Sequence, residues 1–407
     1  KKKLSITGDG KILLQDNDDK ISYKLERKND DLKFESVLKI DNNPLIFSLL
    51  NYEKKNDVTV NIKGSIINNQ NVINSFILKE DTNFFSVKNL RFNKNNQIKK
   101  IDQLDLDYLD KDKKKNSVSL FRKDNEYILK GSYFNIDNLL ENILNKENES
   151  PNILDINNLL KVDIDKVGID KDNNLSNLKA TLFFKKQQIV RGKLEGIFSK
   201  DEKLKLTVNT NGNDKVTTLF LDRAKPIVSR YKFIKGFEEG KLDFYSSSNG
   251  KETSSTLKIY NFKLKELPGL TKVLTLASLQ GIADTLSGEG IRFEEFEMNF
   301  RNKKDLMTID EIYAIGPAIS VLMNGYIEKN RLISLRGTLV PATTINKFIG
   351  SLPVLGDILV GSKTGEGVFG VSFKIKGPPK KLETTVNPVK TLTPRFITRT
   401  LEKIKKD

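Results

Sequence analysis

Cysteine, histidine and tryptophan are absent from the 407 residues, and methionine occurs three times. Without cysteine, disulfides and thiolate chemistry are excluded. Without histidine, the commonest general base and the commonest metal ligand are gone, and most hydrolase and metalloenzyme mechanisms lose their usual parts. No run of about 18 apolar residues occurs, so no helical membrane span is expected. The chain opens on Lys1-Lys2-Lys3 with no signal-peptide core, and reads as a fragment whose targeting segment or anchor lies upstream.

What is abundant is charge. There are 69 Lys and Arg against 53 Asp and Glu, a net charge of +16. The two signs are interspersed, the pattern of solvated faces. No interleaved aromatic platform accompanies them, so no nucleic-acid partner is expected. Length alone suggests two or three domains.

Period-two alternation dominates the chain. Val58, Val60 and Ile62 share one face, as do Leu204, Leu206 and Val208. The same holds for Ile319, Val321 and Met323, for Ile333, Leu335 and Leu339, and for Phe369, Val371, Phe373 and Ile375. Alternation of this kind means strands with one dry and one wet face. Short turns such as Asp9-Gly10, Asn42-Asn43 and Asn249-Gly250 predict a mostly antiparallel sheet. Uniform alternation without a Pro- or Ser-rich linker predicts one long, bent sheet rather than separate globular domains. It is read in three segments, 1–130, 131–265 and 266–407, with a polar hinge candidate at Asn145 to Pro151.

Helical stripes are few. They fall at 137–145, at 223–233 with Pro226 in the first turn, at 267–286, at 343–349 and at 394–406. The last is basic, with Thr393 as its cap and Pro394 at its first position. The segment 267–286 is the most apolar, with Leu270, Leu274, Leu276, Leu279 and Ile282 along it and Gly288 or Gly290 as its stop. These helices are too few to cover the dry strand faces. A closed barrel, a sandwich or an open trough could each absorb them.

Catalytic constellations are sought and not found. Gly356 to Thr364 nears a phosphate loop, but Ser362 intrudes and a strand follows where a helix is needed. Asp170 to Asn174 resembles the start of a calcium loop, but Leu175 stands where Gly is required, and a polar turn is the plainer reading. Glu294 and Glu295 are adjacent on a strand and point to opposite faces. The chain is therefore read as a non-enzyme with no cofactor.

The stretches "LPGLTKVLTLASLQGI", "LSGEGIRFEEFEMNFR", "AIGPAISVLMNGYIE", "LRGTLVPATTINKFIGSLPVLGDILVGSKTGEGVFGVSFKIKGP" and "TTVNPVKTLTPRF" follow one another from Leu267 to Phe396. In order and spacing they resemble the C-terminal region of AsmA-like proteins, in the YhdP-type branch. "YILKGSYFNIDNLLENIL" and "RAKPIVSRYKFIKGFEEGKLDF" resemble upstream elements of that family more loosely, and residues 1–115 carry no such motif. Pro394-Arg395 and Pro388-Val389-Lys390 depart from the family's usual Pro-Gly and Pro-Leu-Ser.

The resemblance implies a taco-shaped β-groove with an apolar interior, tethered to the inner membrane and crossing the periplasm. Along it, phospholipids would pass to the outer membrane, with both membrane surfaces and membrane proteins as partners. On that reading the dry-face residues Val58 to Ile62, Leu204 to Val208, Ile319 to Met323 and Phe369 to Ile375 line the groove, and 267–286 caps it. A plain core helix closing a β-sandwich is the competing reading of 267–286. An open groove further implies that Val371→Asp would leave the fold intact. The alternative function is a periplasmic scaffold or assembly factor that carries no lipid.

Overall fold

The computed structural model describes residues 3–67, 70–144, 157–185, 188–230, 236–265, 267–341, 370–379 and 381–389. It is mainly β, with one large, mixed, mostly antiparallel sheet that does not close, and four short α-helices. The chain divides into two compact units, Lys1–Asn209 and Thr210–Asp407. Neither boundary read from the sequence coincides with this division, and residue 130 falls inside a strand.

The first unit contains β1 (Lys3–Leu14), β2 (Asn17–Lys28), β3 (Asp31–Ile40), β4 (Ile46–Phe47), β5 (Tyr52–Glu53), β6 (Val58–Ile67), β7 (Gln70–Glu80) and β8 (Asn83–Phe92). It continues with β9 (Ile98–Lys100), β10 (Gln103–Leu109), β11 (Lys115–Lys123), β12 (Glu126–Asn135), α1 (Asp137–Leu144), β13 (Leu159–Gly168), β14 (Asn174–Lys185), β15 (Gln188–Ser199) and β16 (Glu202–Asn211). Asp9-Gly10, read as a turn, lies inside β1, paired with Ser22 and Ile21, but sequential strands pair antiparallel. The exception is β12 with β13, which pair in parallel. The chain returns between them through α1, the kind of crossover that a parallel pair requires. The tiny β4–β5 hairpin and the 3₁₀ turn at Ser48–Leu50 stand off the main ladder.

The second unit contains β17 (Asp214–Leu221), α2 (Lys225–Val228), β18 (Phe237–Ser248), β19 (Thr253–Leu264), α3 (Pro268–Leu276), α4 (Gln280–Ser287) and β20 (Ile291–Lys303). Then follow β21 (Leu306–Ile315), β22 (Ile319–Glu328), β23 (Leu332–Pro341), β24 (Gly370–Gly377) and β25 (Glu383–Val389). β17 to β25 form an antiparallel meander.

The helices differ from expectation in two places. The stretch 267–286 is two helices, not one. Ser278 adopts φ +60, a left-handed conformation that interrupts the helical backbone, and Leu279 becomes the start of α4. Its stop is as expected, with Gly288 at the C-cap. Among the described residues of the stripe at 223–233 the helix is a single turn, Lys225–Val228, with Pro226 in its first positions, and 231–233 lie outside the described residues. The helix at 137–145 is present as α1. The candidates at 343–349 and 394–406, the hinge at Asn145 to Pro151, the near phosphate loop at 356–364 and Phe369 lie outside the described residues.

Candidate functional site

Cross-strand register turns local alternation into long apolar rows. In the first unit one row runs Ile62, Phe76, Val87, Leu104, Leu120, Leu129, Val162, Ala180, Leu194 and Leu206. It crosses ten strands without a polar side chain. Residues directly opposite on paired strands share a face, so the row is one surface of the sheet. Ile62 and Leu206, two of the sequence-predicted positions, are its ends. Apart from Ala180, every side chain in it is only half-buried. Beside it, towards the chain's 41–57 loop, lies a second row with Val60, Leu78, Phe85, Leu106, Val118 and Ile164, all buried. Val58 is buried one step further along β6.

An aromatic plug covers this row at Phe85. Tyr52 of β5 stacks edge-on against Phe85 at 4.8 Å and Phe47 stacks on Tyr52 at 5.6 Å. Tyr108 lies 5.0 Å from Phe85 and donates its hydroxyl to the carbonyl of Leu50. The Asn138 amide of α1 donates to the Ser48 carbonyl, fastening the turn. Ile46 and Leu49 remain exposed on the plug's outer side.

Three carboxylates end the dry face beneath the plug. Asp19 accepts the backbone N–H groups of Asp41 and Asn42 at 2.8 and 2.9 Å and the Asn43 amide at 2.7 Å. Glu80 accepts the Tyr52 hydroxyl at 2.8 Å, the Asn56 N–H at 2.7 Å, the Lys55 N–H and the Asn83 amide. Asp110 accepts the Asn135 amide at 2.7 Å and the Lys114 N–H at 2.9 Å. Burial pushes Asp19 and Glu80 up, but their donors outweigh it and hold both below the ordinary carboxylate range. They are buried anions that hold the plug loop. The same burial, with Glu80 beside it, pushes the Tyr52 phenol up, which keeps it a donor.

The second unit repeats the arrangement. Leu221, Leu242, Ile259, Phe296, Ala314, Val321, Leu339 and Val371 form one row across β17 to β24. Leu219, Phe244, Leu257, Met298, Ile312, Met323, Gly337, Phe373 and Val386 form the next, across β17 to β25. Most of the first row is buried, and most of the second is half-buried. Gly337 is required there, since a Cβ would fall 2.6 Å from the Phe373 ring. Thus Val321 and Val371 share a row with Leu339 between them, Met323 and Phe373 flank Gly337 one step along, Ile319 is buried at the strand start, and Ile375 is half-buried further on. In the first unit, Leu204 and Val208 are buried on either side of half-buried Leu206.

α3 packs on β25, with Gly269 beside Ile375 of β24. On β18, β19 and β20, Phe237, Phe262 and Phe293 stack at 5.4 Å spacing. Of the five positions expected from the sequence to cap a groove, Leu274 is fully buried, and Leu270, Leu279 and Ile282 are half-buried. Leu276 points to solvent at 51 % exposed, because it lies across α3 from the buried Leu274. Val273 is buried beside Leu274, and after the break Ala283 and Leu286 carry the inward stripe of α4. Val273, Ala283 and Leu286, like the plug and its carboxylates, escaped the sequence reading.

Asp170 closes a polar turn by accepting the N–H groups of Asp172 and Asn173. Among the described residues no cluster of three or more acidic, His or Cys side chains could hold a metal ion, and no helix is long and apolar enough to cross a membrane. No family model, no curated protein and no solved structure matches the chain.

Proposed function

We propose that this chain is a segment of an inner-membrane-anchored periplasmic bridge that carries phospholipids along an apolar β-groove towards the outer membrane. The observation that carries the reading is the row from Ile62 to Leu206, ten strands wide, apolar throughout and half-open to solvent. A soluble protein rarely leaves so long an apolar strip uncovered without a ligand or partner for it. An acyl chain laid across it gains about 0.8 kcal/mol per methylene removed from water. The row runs across strands, so it is a path rather than a single pocket. The order of motifs from Leu267 to Phe396 supports the same reading.

The carrier needs no catalytic group and no cofactor. Its tether and its membrane contacts would lie in other parts of the protein, and its partners would be the two membrane surfaces and membrane proteins there. A scaffold that carries no lipid is the competing function. Mass spectrometry of organic extracts from the purified protein separates them. Stoichiometric phospholipid supports the carrier. Lipid-free protein that stays folded supports the scaffold.

A further inference from the structure

We propose that the first unit holds its amphiphile in one orientation and selects a net-anionic phospholipid, with the phosphate at the rim marked by Arg27 and Arg122. This rests on the carrier reading and adds headgroup chemistry to it.

The Ile62 to Leu206 row continues through Ser36 and Tyr23 to Gly8, and so divides every long strand of the unit into two halves. On the plug side of the row the described residues carry 22 Asp and Glu against 17 Lys and Arg. On the opposite side they carry 7 Asp and Glu against 17 Lys and Arg. One strand end is therefore net acidic and the other strongly basic.

The dry face shows the same polarity. Its plug-side end holds the carboxylates Asp19, Glu80 and Asp110, all buried. A phosphate there would meet like charge and a closed aromatic plug. On the other side, Arg27 follows Leu25 on the dry face of β2, and Arg122 follows Leu120 on the dry face of β11. Arg27 is exposed, and among the described residues its side chain donates to the nearby carbonyl of Asn29. Arg122 is half-buried and donates to Asn125 of its own turn. Both guanidinium groups stand beside apolar rows with donors to spare, and their planar forks suit phosphate. A lipid whose acyl chains lie on the half-open row thus finds an excess of cations over carboxylates at only one end.

A headgroup that also carries an ammonium loses part of this advantage. The expected occupant is a bilayer phospholipid of the phosphatidylglycerol type, in preference to a zwitterionic one.

The test incubates the full chain with vesicles of equimolar phosphatidylglycerol and phosphatidylcholine, re-isolates it, and quantifies bound lipid by mass spectrometry. Wild type should enrich phosphatidylglycerol several-fold. The double variant Arg27→Glu and Arg122→Glu should lose that enrichment, with a melting temperature near wild type. Lys20→Glu with Lys171→Glu makes the same change of net charge on the plug side at exposed positions and should keep it. Should the first pair unfold, Arg27→Gln with Arg122→Gln reads the same effect. Bound lipid without headgroup preference in wild type overturns this orientation and leaves the carrier standing. Equal loss in both charge-reversal pairs also overturns it, as a net-charge effect. No bound lipid at all removes the carrier and this inference together.

Discussion

The Tyr52 hydroxyl donates to Glu80 Oε2 at 2.8 Å, and through this contact the hairpin at Ile46–Glu53 is latched onto the end of β7. Both residues are buried. The pair explains how a segment without periodic pattern can be held rigidly on an apolar sheet.

That latch has a pH signature. Asp19 and Glu80 titrate below their ordinary values of 3.8 and 4.5 in the folded protein. A carboxylate whose folded pKa is depressed contributes stability that is present above its ordinary value and lost as pH falls through the folded one. The melting temperature should hold from neutral pH down to about 5 and fall progressively below 4.5. Glu80→Gln should cost about 1–3 kcal/mol at pH 7. Its deficit against wild type should shrink in melts taken down to pH 3. A constant deficit across that range would deny the latch its charge.

Val371 is 1 % exposed, between Leu339 and the start of the Gly370–Val389 ladder. The sequence reading expects Val371→Asp to keep the fold, on the premise of an open groove at that strand. Its burial reverses that expectation. A carboxylate there, with no partner, should cost several kcal/mol and lower the melting temperature sharply. Met323, half-buried in the neighbouring row, is the position at which Asp should be tolerated while bound lipid is lost. Thermal melts beside lipid quantification on both variants decide the matter.

Gly337 leaves room for the Phe373 ring across the β23–β24 ladder. Gly337→Ala should cost about 1–3 kcal/mol by overpacking. Chemical denaturation should show a lower midpoint with an unchanged slope. Phe373→Leu, which vacates the ring, should recover part of the loss.

In the helix pair, Leu274 and Leu276 are two residues apart and differ completely in burial. Leu274→Ala should cost about 2–5 kcal/mol, and Leu276→Ser should change stability by less than about 0.5 kcal/mol. Equal effects would mean that α3 sits on the sheet in another rotation.

The contrast within that helix pair shows what sequence could and could not say. Alternation at Val58, Val60 and Ile62 announces a strand and its dry face, because side-chain direction is a local property of the backbone. That Ile62 would stand level with Phe76 depends on a bulge near Asn74, where the β6–β7 register shifts. No local period encodes that. Apolar spacing in 267–286 predicts helix correctly, but the break rests on one residue, Ser278, whose positive φ no composition reveals. The plug was invisible for the opposite reason. "PLIFSLLNYE" is apolar without a period, and its place is set by Tyr52, Glu80 and Tyr108, distant in sequence.

The parallel pairing of β12 with β13 bears on how the first unit assembles. Almost every other ladder joins strands separated by a tight turn, so each hairpin can zip soon after its second strand is made. Such local order favours rapid folding. The β12–β13 seam must wait until the chain has travelled from Asn135 through α1 to Leu159. Loop-closure entropy opposes that one step more than any neighbouring turn. The seam is therefore the expected kinetic bottleneck. Until it closes, the edges of β12 and β13 are unsatisfied templates for another chain, and a folding intermediate arrested there would aggregate through those two strands.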